Sequence, residues 1–264
     1  MPTTEHSYRQ LLEIIQRHGK SAVAFSGGVD STLLLYATRE ALGVSNTLAC
    51  TVCAPMHLQS ELSAAVDLAA SLGIRHILPT ISFAELPELA DNPRNRCYLC
   101  KKRLLNCCLT ALPHEFRLCE GSNSDDLTAY RPGWQAVQEL RVASPLVEAG
   151  LNKETIRAIS RMLQLPTWNK PPQSCLLTRF PHDTPLTEEQ LHQVAADEEA
   201  IMQLGFSMLR LRSIGDQARL EFHLEELPKA QTPQHWQRIV GICHAAGYRQ
   251  VTCDPAGYRS GSMD

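Results

Sequence analysis

The sequence predicts an α/β fold: a parallel sheet with helices on both faces, followed by a small C-terminal α+β domain. Three observations predict it. Up to about residue 165, short β-rich segments alternate with amphipathic helical ones, the order that builds a parallel sheet covered by helices. A Pro-rich connection then spans 166–185 and contains Pro171-Pro172 and Cys175. Beyond it the pattern changes to a helix, a hairpin signal, a second helix and a last strand. Placing the boundary at the far end of the connection gives domains 1–185 and 186–264.

Residues 1–20 set Leu11, Leu12, Ile14 and Ile15 at helical spacing among polar residues, so they lack the unbroken apolar core of a signal peptide. Residues 21–25 are the first expected strand and 30–42 the helix after it. The next strands are 48–52 and 75–78, separated by a helical pattern over 59–72 that Gly73 ends. A helix over 97–112 leads to a strand over 116–120 and the polar turn Gly121-Ser122-Asn123. A helix over 153–163 stops near Pro166. Thr187-Glu188-Glu189-Gln190 fits a capping box that starts a helix running to Gly205. Residues 208–214 and 218–222 pair around Gly215-Asp216, 232–246 form a helix, and 249–253 the final strand.

With 44% hydrophobic and 20% charged residues in 264, the chain has the composition of an ordinary globular protein. A net charge of -3 supplies no field that would hold a stable nucleic-acid complex. No apolar run approaches a membrane span. Ten cysteines without a secretory signal point to a reducing, cytoplasmic compartment, where thiols serve as core residues, ligands or reactive groups.

The most informative stretch is Ser26-Gly27-Gly28-Val29-Asp30-Ser31, directly between the first strand and its helix. Glycines let backbone approach an anion, and the N–H groups of the loop and helix start face its phosphates. Ser26 and Ser31 add hydroxyl donors, and Asp30 suits Mg²⁺ because a bare carboxylate repels a polyanion. A glycine pair alone would indicate only a tight turn. Gly19-Lys20-Ser21 fails as a Walker loop, since that motif needs glycine where Ile14 stands and must follow a strand rather than precede one. The hexapeptide resembles the PP-loop signature shared by GMP synthetase, NAD synthetase, asparagine synthetase and tRNA-thiolation enzymes. That resemblance implies an adenine nucleotide alpha hydrolase-like fold, ATP cleavage between the α- and β-phosphates, and an adenylate. Gly121-Ser122-Asn123-Ser124-Asp125-Asp126 resembles a second element of these families, and puts Gly121, Asn123 and Asp125 near the nucleotide and metal. As an isolated match it would be a polar turn and N-cap.

Cys97 and Cys100 precede Lys101, Lys102 and Arg103, and positive charge favours thiolates for metal binding or redox chemistry. Cys175 stands apart in a rigid Pro-rich loop ahead of Arg179, as nucleophile, sulfur donor or third ligand. Three thiolates with an open fourth position would suit a [4Fe-4S] cluster. Cys50 and Cys53 form a second CxxC, but the gap to the first pair is too long for a zinc ribbon, and Cys50 reads as core. Cys107, Cys108, Cys119, Cys243 and Cys253 lie in apolar segments and are expected to pack as small hydrophobes. Arg210 and Arg212 alternate on a strand, so both point to one face, either as a phosphate site or as a solvated edge. Arg259, in the glycine-rich tail, is a further phosphate candidate.

Together these residues resemble the LarE sulfur transferases, which help build the nickel-pincer nucleotide cofactor of lactate racemase. The match covers nearly the whole chain. Besides SGGVDS and EGSNSDD it rests on Arg96-Cys97-Tyr98-Leu99-Cys100-Lys101, Tyr130-Arg131-Pro132-Gly133, Ser144-Pro145-Leu146, Cys175-Leu176-Leu177-Thr178-Arg179-Phe180-Pro181 and Gly257-Tyr258-Arg259-Ser260-Gly261-Ser262. It implies adenylylation of the carboxylates of pyridinium-3,5-biscarboxylic acid mononucleotide, attack of sulfur, and loss of AMP. It also implies that Cys175 is nucleophile and sulfur donor, left in some members as dehydroalanine. Members with the CxxC pair resemble cluster enzymes, so Cys97, Cys100 and Cys175 are the expected [4Fe-4S] ligands, with ATP and Mg²⁺ as the other cofactors. Arg179, Arg210, Arg212 and Arg259 are the expected substrate-phosphate ligands, and a homo-oligomer is expected.

Three competing readings share parts of this pattern. A tRNA thiolation enzyme would need an RNA-binding surface, and no aromatic-basic module is present. An ammonia-dependent adenylating synthetase would need no cysteine. A nucleotide or metal sensor would release no pyrophosphate.

Overall fold

The apolar stripe near the N-terminus folds as helix α1 (Thr4–His18), capped by the Thr3 side chain. In the computed structural model residues 3–128, 131–171 and 173–259 are described. Tyr130, Pro172, Ser260, Gly261 and Ser262, quoted above, lie outside them. The chain divides into two compact units, residues 1–82 with 95–173, and residues 83–94 with 174–264.

In the first unit, strands β1 (Ser21–Ala24), β2 (Thr47–Cys50), β3 (Arg75–Ile77) and β4 (Arg117–Cys119) form a parallel sheet in the order β3-β2-β1-β4. β1 and β2 are almost wholly buried, which in a parallel sheet means that helices cover both faces. The covering helices are α2 (Val29–Leu42), α3 (Gln59–Ser71), α4 (Arg96–Ala111), α5 (Pro132–Glu139), α6 (Pro145–Glu148) and α7 (Lys153–Met162), with α1. Leu11, Ile15, Leu33, Leu34, Val23 and Ile159 meet in one core. The chain leaves β1 toward β2 on one side and later returns to β4 on the other. The strand order therefore reverses at β1/β4, and ligands of open α/β sheets bind beyond the carboxyl ends of strands at such a point.

The second unit holds a three-stranded sheet, order β5-β6-β7. β5 (Leu209–Ile214) and β6 (Gln217–Phe222) form the expected hairpin, and β7 (Gln250–Cys253) joins β6 in parallel. Helix α8 (Glu188–Met202) starts at the expected capping box on Thr187 and Gln190. Helices α9 (Leu227–Ala230) and α10 (Pro233–Ala245) complete it, around Val194, Leu211, Leu220, Phe222 and Ile239. This unit begins at Ser174, inside the Pro-rich connection rather than at 185/186, and takes in 83–94 from far upstream. The physical reason is Asn92, fully buried at φ +48°, whose side-chain amide donates to the carbonyls of Leu177, Phe180 and Pro181 at 3.2, 3.2 and 2.8 Å.

Candidate active site

β1 ends in the first loop, and the Phe25 amide still donates to Cys50 in β2 at 2.8 Å. Gly27 turns at φ +68°, and a Cβ there would sit 3.2 Å from that of Ala65, so position and conformation both require glycine. Gly28 is the N-cap of α2, and no side chain caps that helix, which leaves its first amides for a ligand. Ser31 Oγ holds the loop closed: it accepts from the Ser26 amide at 3.3 Å, lies 3.1 Å from Ser26 Oγ, and donates to the Gly28 carbonyl at 3.2 Å. Val29 is buried at the start of the helix.

β4 delivers the second loop beside the first, as the reversal of strand order requires. A Cβ on Gly121 would lie 3.1 Å from the Ser31 amide nitrogen, so this close approach depends on glycine. The Asn123 side chain accepts from the Asp125 amide at 3.0 Å and donates to Asp30 Oδ1 at 3.4 Å, while Asp126 closes a capping box on Asn123. Asp125 accepts the backbone amide of Lys153 at 2.9 Å, and Lys153 Nζ is ion-paired with Asp30 Oδ2. At the other end of the first loop, Lys170 Nζ donates to the Gly27 carbonyl at 3.2 Å and pairs with Glu61 at 2.6 Å. The expected nucleotide residues Ser26 to Ser31, Gly121, Asn123 and Asp125 thus form one constellation, and Lys153 and Lys170 join it. Sequence reading missed both lysines, because neither belongs to a motif and only the fold brings them to the loop. Asp30 fits Mg²⁺ chemically: that ion commonly takes one or two carboxylates, with phosphates and water completing its shell.

Cys97 and Cys100 lie one turn apart on α4, exposed and half-buried. Their i, i+3 spacing puts both thiols on one helix face, which fits two ligands of a shared cluster. Lys101 is paired with Glu120 at 2.9 Å and Lys102 with Glu139 at 2.7 Å, so carboxylates already balance the charge expected to favour thiolates. Glu120 is buried and also accepts from the Ser122 amide and hydroxyl at 3.1 and 2.8 Å, and from Ser144 at 2.6 Å. Burial raises its pKa, but Lys101, Ser144 and Ser122 outweigh burial and hold it below the usual carboxylate range. Within each unit, no group of three or more His, Cys, Asp or Glu is assembled as a metal site among the described residues.

Cys50, Cys108, Cys119 and Cys243 are buried as expected, whereas Cys107 and Cys253 are half-buried. Burial pushes the Cys119 thiol up to about 11 and the Cys243 thiol up to about 12, which keeps both protonated and inert.

In the second unit, half-buried Cys175 caps a short 3-10 turn (Leu176–Arg179). Arg179 departs from its expected role as a phosphate ligand. It is fully buried, pairs both ways with Glu198 at 2.9 Å, and donates to Ser174 O and Oγ, Cys175 O and Thr178 Oγ1 at 2.9–3.2 Å. Its donors are spent on shaping the cysteine loop. Arg210 and Arg212 are 4% and 2% exposed, which excludes the solvated-edge reading. Arg212 pairs with Glu221 at 2.6 Å and reaches the Thr178 carbonyl at 2.8 Å. Arg210 stacks on Tyr258 at 5.2 Å, and burial, then the neighbouring Arg179, push it below the usual arginine range. Arg259 is exposed. No described helix is long and apolar enough to cross a membrane.

The chain is similar to three curated proteins along most of its length. It is 36% identical over 263 residues to an uncharacterized protein of Synechocystis sp., covering 98% of this chain and 97% of the other. It is 32% identical over 247 residues to the pyridinium-3,5-bisthiocarboxylic acid mononucleotide synthase of Lactiplantibacillus plantarum, covering 92% and 88%. An uncharacterized protein of Methanocaldococcus jannaschii is 27% identical over 248 residues, 92% of each chain. No family model matches.

Proposed function

Because the chain belongs to the LarE family, that of pyridinium-3,5-bisthiocarboxylic acid mononucleotide synthase, we propose that it is an ATP-dependent sulfur transferase acting on pyridinium-3,5-biscarboxylic acid mononucleotide. The observation that carries this reading is the pair of glycine-dependent loops, with Gly121 against Ser31 and no side-chain cap on the start of α2 at Gly28. A carboxylate is a poor electrophile. Its oxygen therefore first bonds to the α-phosphorus of ATP, the bond to the bridging oxygen breaks, and pyrophosphate leaves with the electron pair. Loop amides and Ser26 orient the phosphates, and Asp30 would hold Mg²⁺, which when bound supplies charge stabilisation at the leaving group.

A sulfur nucleophile then bonds to the acyl carbon, and AMP departs with the electrons of the C–O bond. Repetition on the second carboxylate gives the bisthiocarboxylate. Cys175, on a loop that Arg179 and Glu198 hold in shape, is the thiol assigned to this step. Its thioester loses the Cα proton to base, the Cβ–Sγ bond breaks with its electron pair going to sulfur, and the thiocarboxylate departs leaving dehydroalanine at 175. One chain thus supplies one sulfur, and a second chain serves the second carboxylate. Cys97, Cys100 and Cys175 would hold a [4Fe-4S] cluster, which when bound carries an exchangeable sulfide. Buried Arg210 and Arg212, with Arg259, are assigned to the substrate phosphate: burial, then the neighbouring Arg179, depress Arg210, and an anion beside it offsets both. Ten cysteines in a sequence without an apolar signal segment support a cytoplasmic setting, and the family supports a homo-oligomer.

Cys175→Ala is expected to keep acceptor-dependent pyrophosphate release and lose thiocarboxylate formation, measured on one sample. Equal loss of both steps would sink the assignment. Iron and acid-labile sulfide in anaerobically purified protein identify the carrier. Content that disappears in Cys97→Ala supports the cluster, and no iron in an active protein leaves Cys175 as sacrificial donor.

A further inference from the structure

Successive side chains of a strand point to opposite faces of its sheet. Ala49 packs in the core shared by α1, α2 and α7, so Cys50, next to it on β2, turns to the other face. There it meets Cys108, in the last turn of α4, and the two thiols hydrogen-bond each other. Both residues are buried, at 1% and 3% exposed. The backbone holds each thiol in place. Cys50 pairs in parallel with Ala24 on one side and Ile77 on the other, and its carbonyl accepts from the Phe25 amide at 2.8 Å. The Cys108 carbonyl accepts from the Leu112 amide at 3.1 Å.

Packing as small hydrophobes accounts for Cys119 and Cys243, whose thiols burial keeps protonated. It does not account for the asymmetry of this pair. The hydrogen bond from Cys108 lowers the Cys50 thiol against the effect of burial, whereas the same bond, then burial, push Cys108 up. Cys50 is thus the acceptor, with thiolate character, and Cys108 the donor. An attacking thiol beside a resolving one is the arrangement that turns oxidation into a disulfide rather than into irreversible damage. Cys53, three residues after Cys50, and Cys107, next to Cys108, are half-buried, so each partner borders chain that solvent reaches. An oxidant as small as hydrogen peroxide needs only local opening to enter.

We propose that Cys50 and Cys108 are a redox modification site, forming a reversible disulfide when the protein meets a hydroperoxide. The Cys50 sulfur attacks one oxygen of hydrogen peroxide. The O–O bond breaks with its electron pair on the departing oxygen, which takes up the Cys50 proton as water, and Cys50 becomes a sulfenic acid. The Cys108 sulfur then attacks the Cys50 sulfur, the S–O bond breaks, and a second water leaves with the Cys108 proton. The two thiols lose two electrons in all, and the peroxide gains them. A dithiol reductant reverses the link by exchange, as a reducing compartment requires. The disulfide ties β2 to the helix that carries Cys97 and Cys100 at its other end.

The test treats reduced, full-length wild type with hydrogen peroxide, removes the peroxide with catalase, and unfolds the protein in iodoacetamide. Peptide mapping by mass spectrometry should find Cys50 linked to Cys108, and dithiothreitol added before alkylation should abolish the link. In Cys108→Ala the resolving thiol is gone, so Cys50 should stop at the sulfenic acid and be labelled by dimedone. Three results in wild type overturn the proposal: both cysteines recovered as alkylated thiols after Cys97, Cys100 and Cys175 have reacted, either one linked to another cysteine instead, or Cys50 recovered as a sulfinic acid. The wild-type map decides the matter whether or not Cys108→Ala folds.

Discussion

At Glu120, burial and pairing act against each other. Its side chain is 1% exposed, a position where an unpaired carboxylate would be protonated, yet Lys101, Ser122 and Ser144 keep it charged. Because its folded pKa is depressed, its contribution to stability is present above the unfolded value of about 4.3 and disappears as pH falls through the folded value. Glu120→Gln should destabilise the protein by about 1.5–3 kcal/mol at pH 7, the range for hydrogen bonds to a charged group. The deficit should shrink below about pH 4 in urea melts. A deficit independent of pH would mean that shape, not charge, is what Glu120 supplies. At this scale the sequence was partly legible. SGGVDS and Cys175 announce themselves by type and neighbours, but Lys153, Lys170 and the Arg179–Glu198 pair depend on contacts between residues far apart in the chain or without a motif.

The elements show the same division. α2 and α3 were readable because their helical patterns run for 13 or 14 residues, and β1, β2, β3 and β4 because short β-rich runs stand between such helices and turn residues. α6 spans four residues and α5 eight, each opened by a proline at its first turn, and helices so short display little period. The segment 83–94 is the clearest case of information held outside the local pattern. It joins the second unit through Asn92, whose amide supplies both its hydrogens to three carbonyls of the cysteine loop. Asn92→Ala removes one donor from each of these carbonyls, and should cost on the order of 2 kcal/mol in denaturant unfolding. It should also speed alkylation of Cys175 by iodoacetamide, because the loop loses its tether. Unchanged stability and thiol reactivity would remove Asn92 from this role.

For the whole molecule, order along the chain decided what could be foreseen. A loop after the first strand and a polar loop after the fourth meet because β1 and β4 are neighbours in a parallel sheet, and this much follows from topology once both motifs are seen. The division at 173/174 was not foreseen, since prolines mark a connection without saying to which side its residues fold. The central claim is that the first unit cleaves ATP to activate a carboxylate. Phosphorus NMR of the products formed from ATP, Mg²⁺ and pyridinium-3,5-biscarboxylic acid mononucleotide tests it most directly. AMP and pyrophosphate should appear in equal amounts, only with the acceptor present, and neither should form with Asp30→Ala. ADP and orthophosphate, or AMP and pyrophosphate formed regardless of the acceptor, would contradict it.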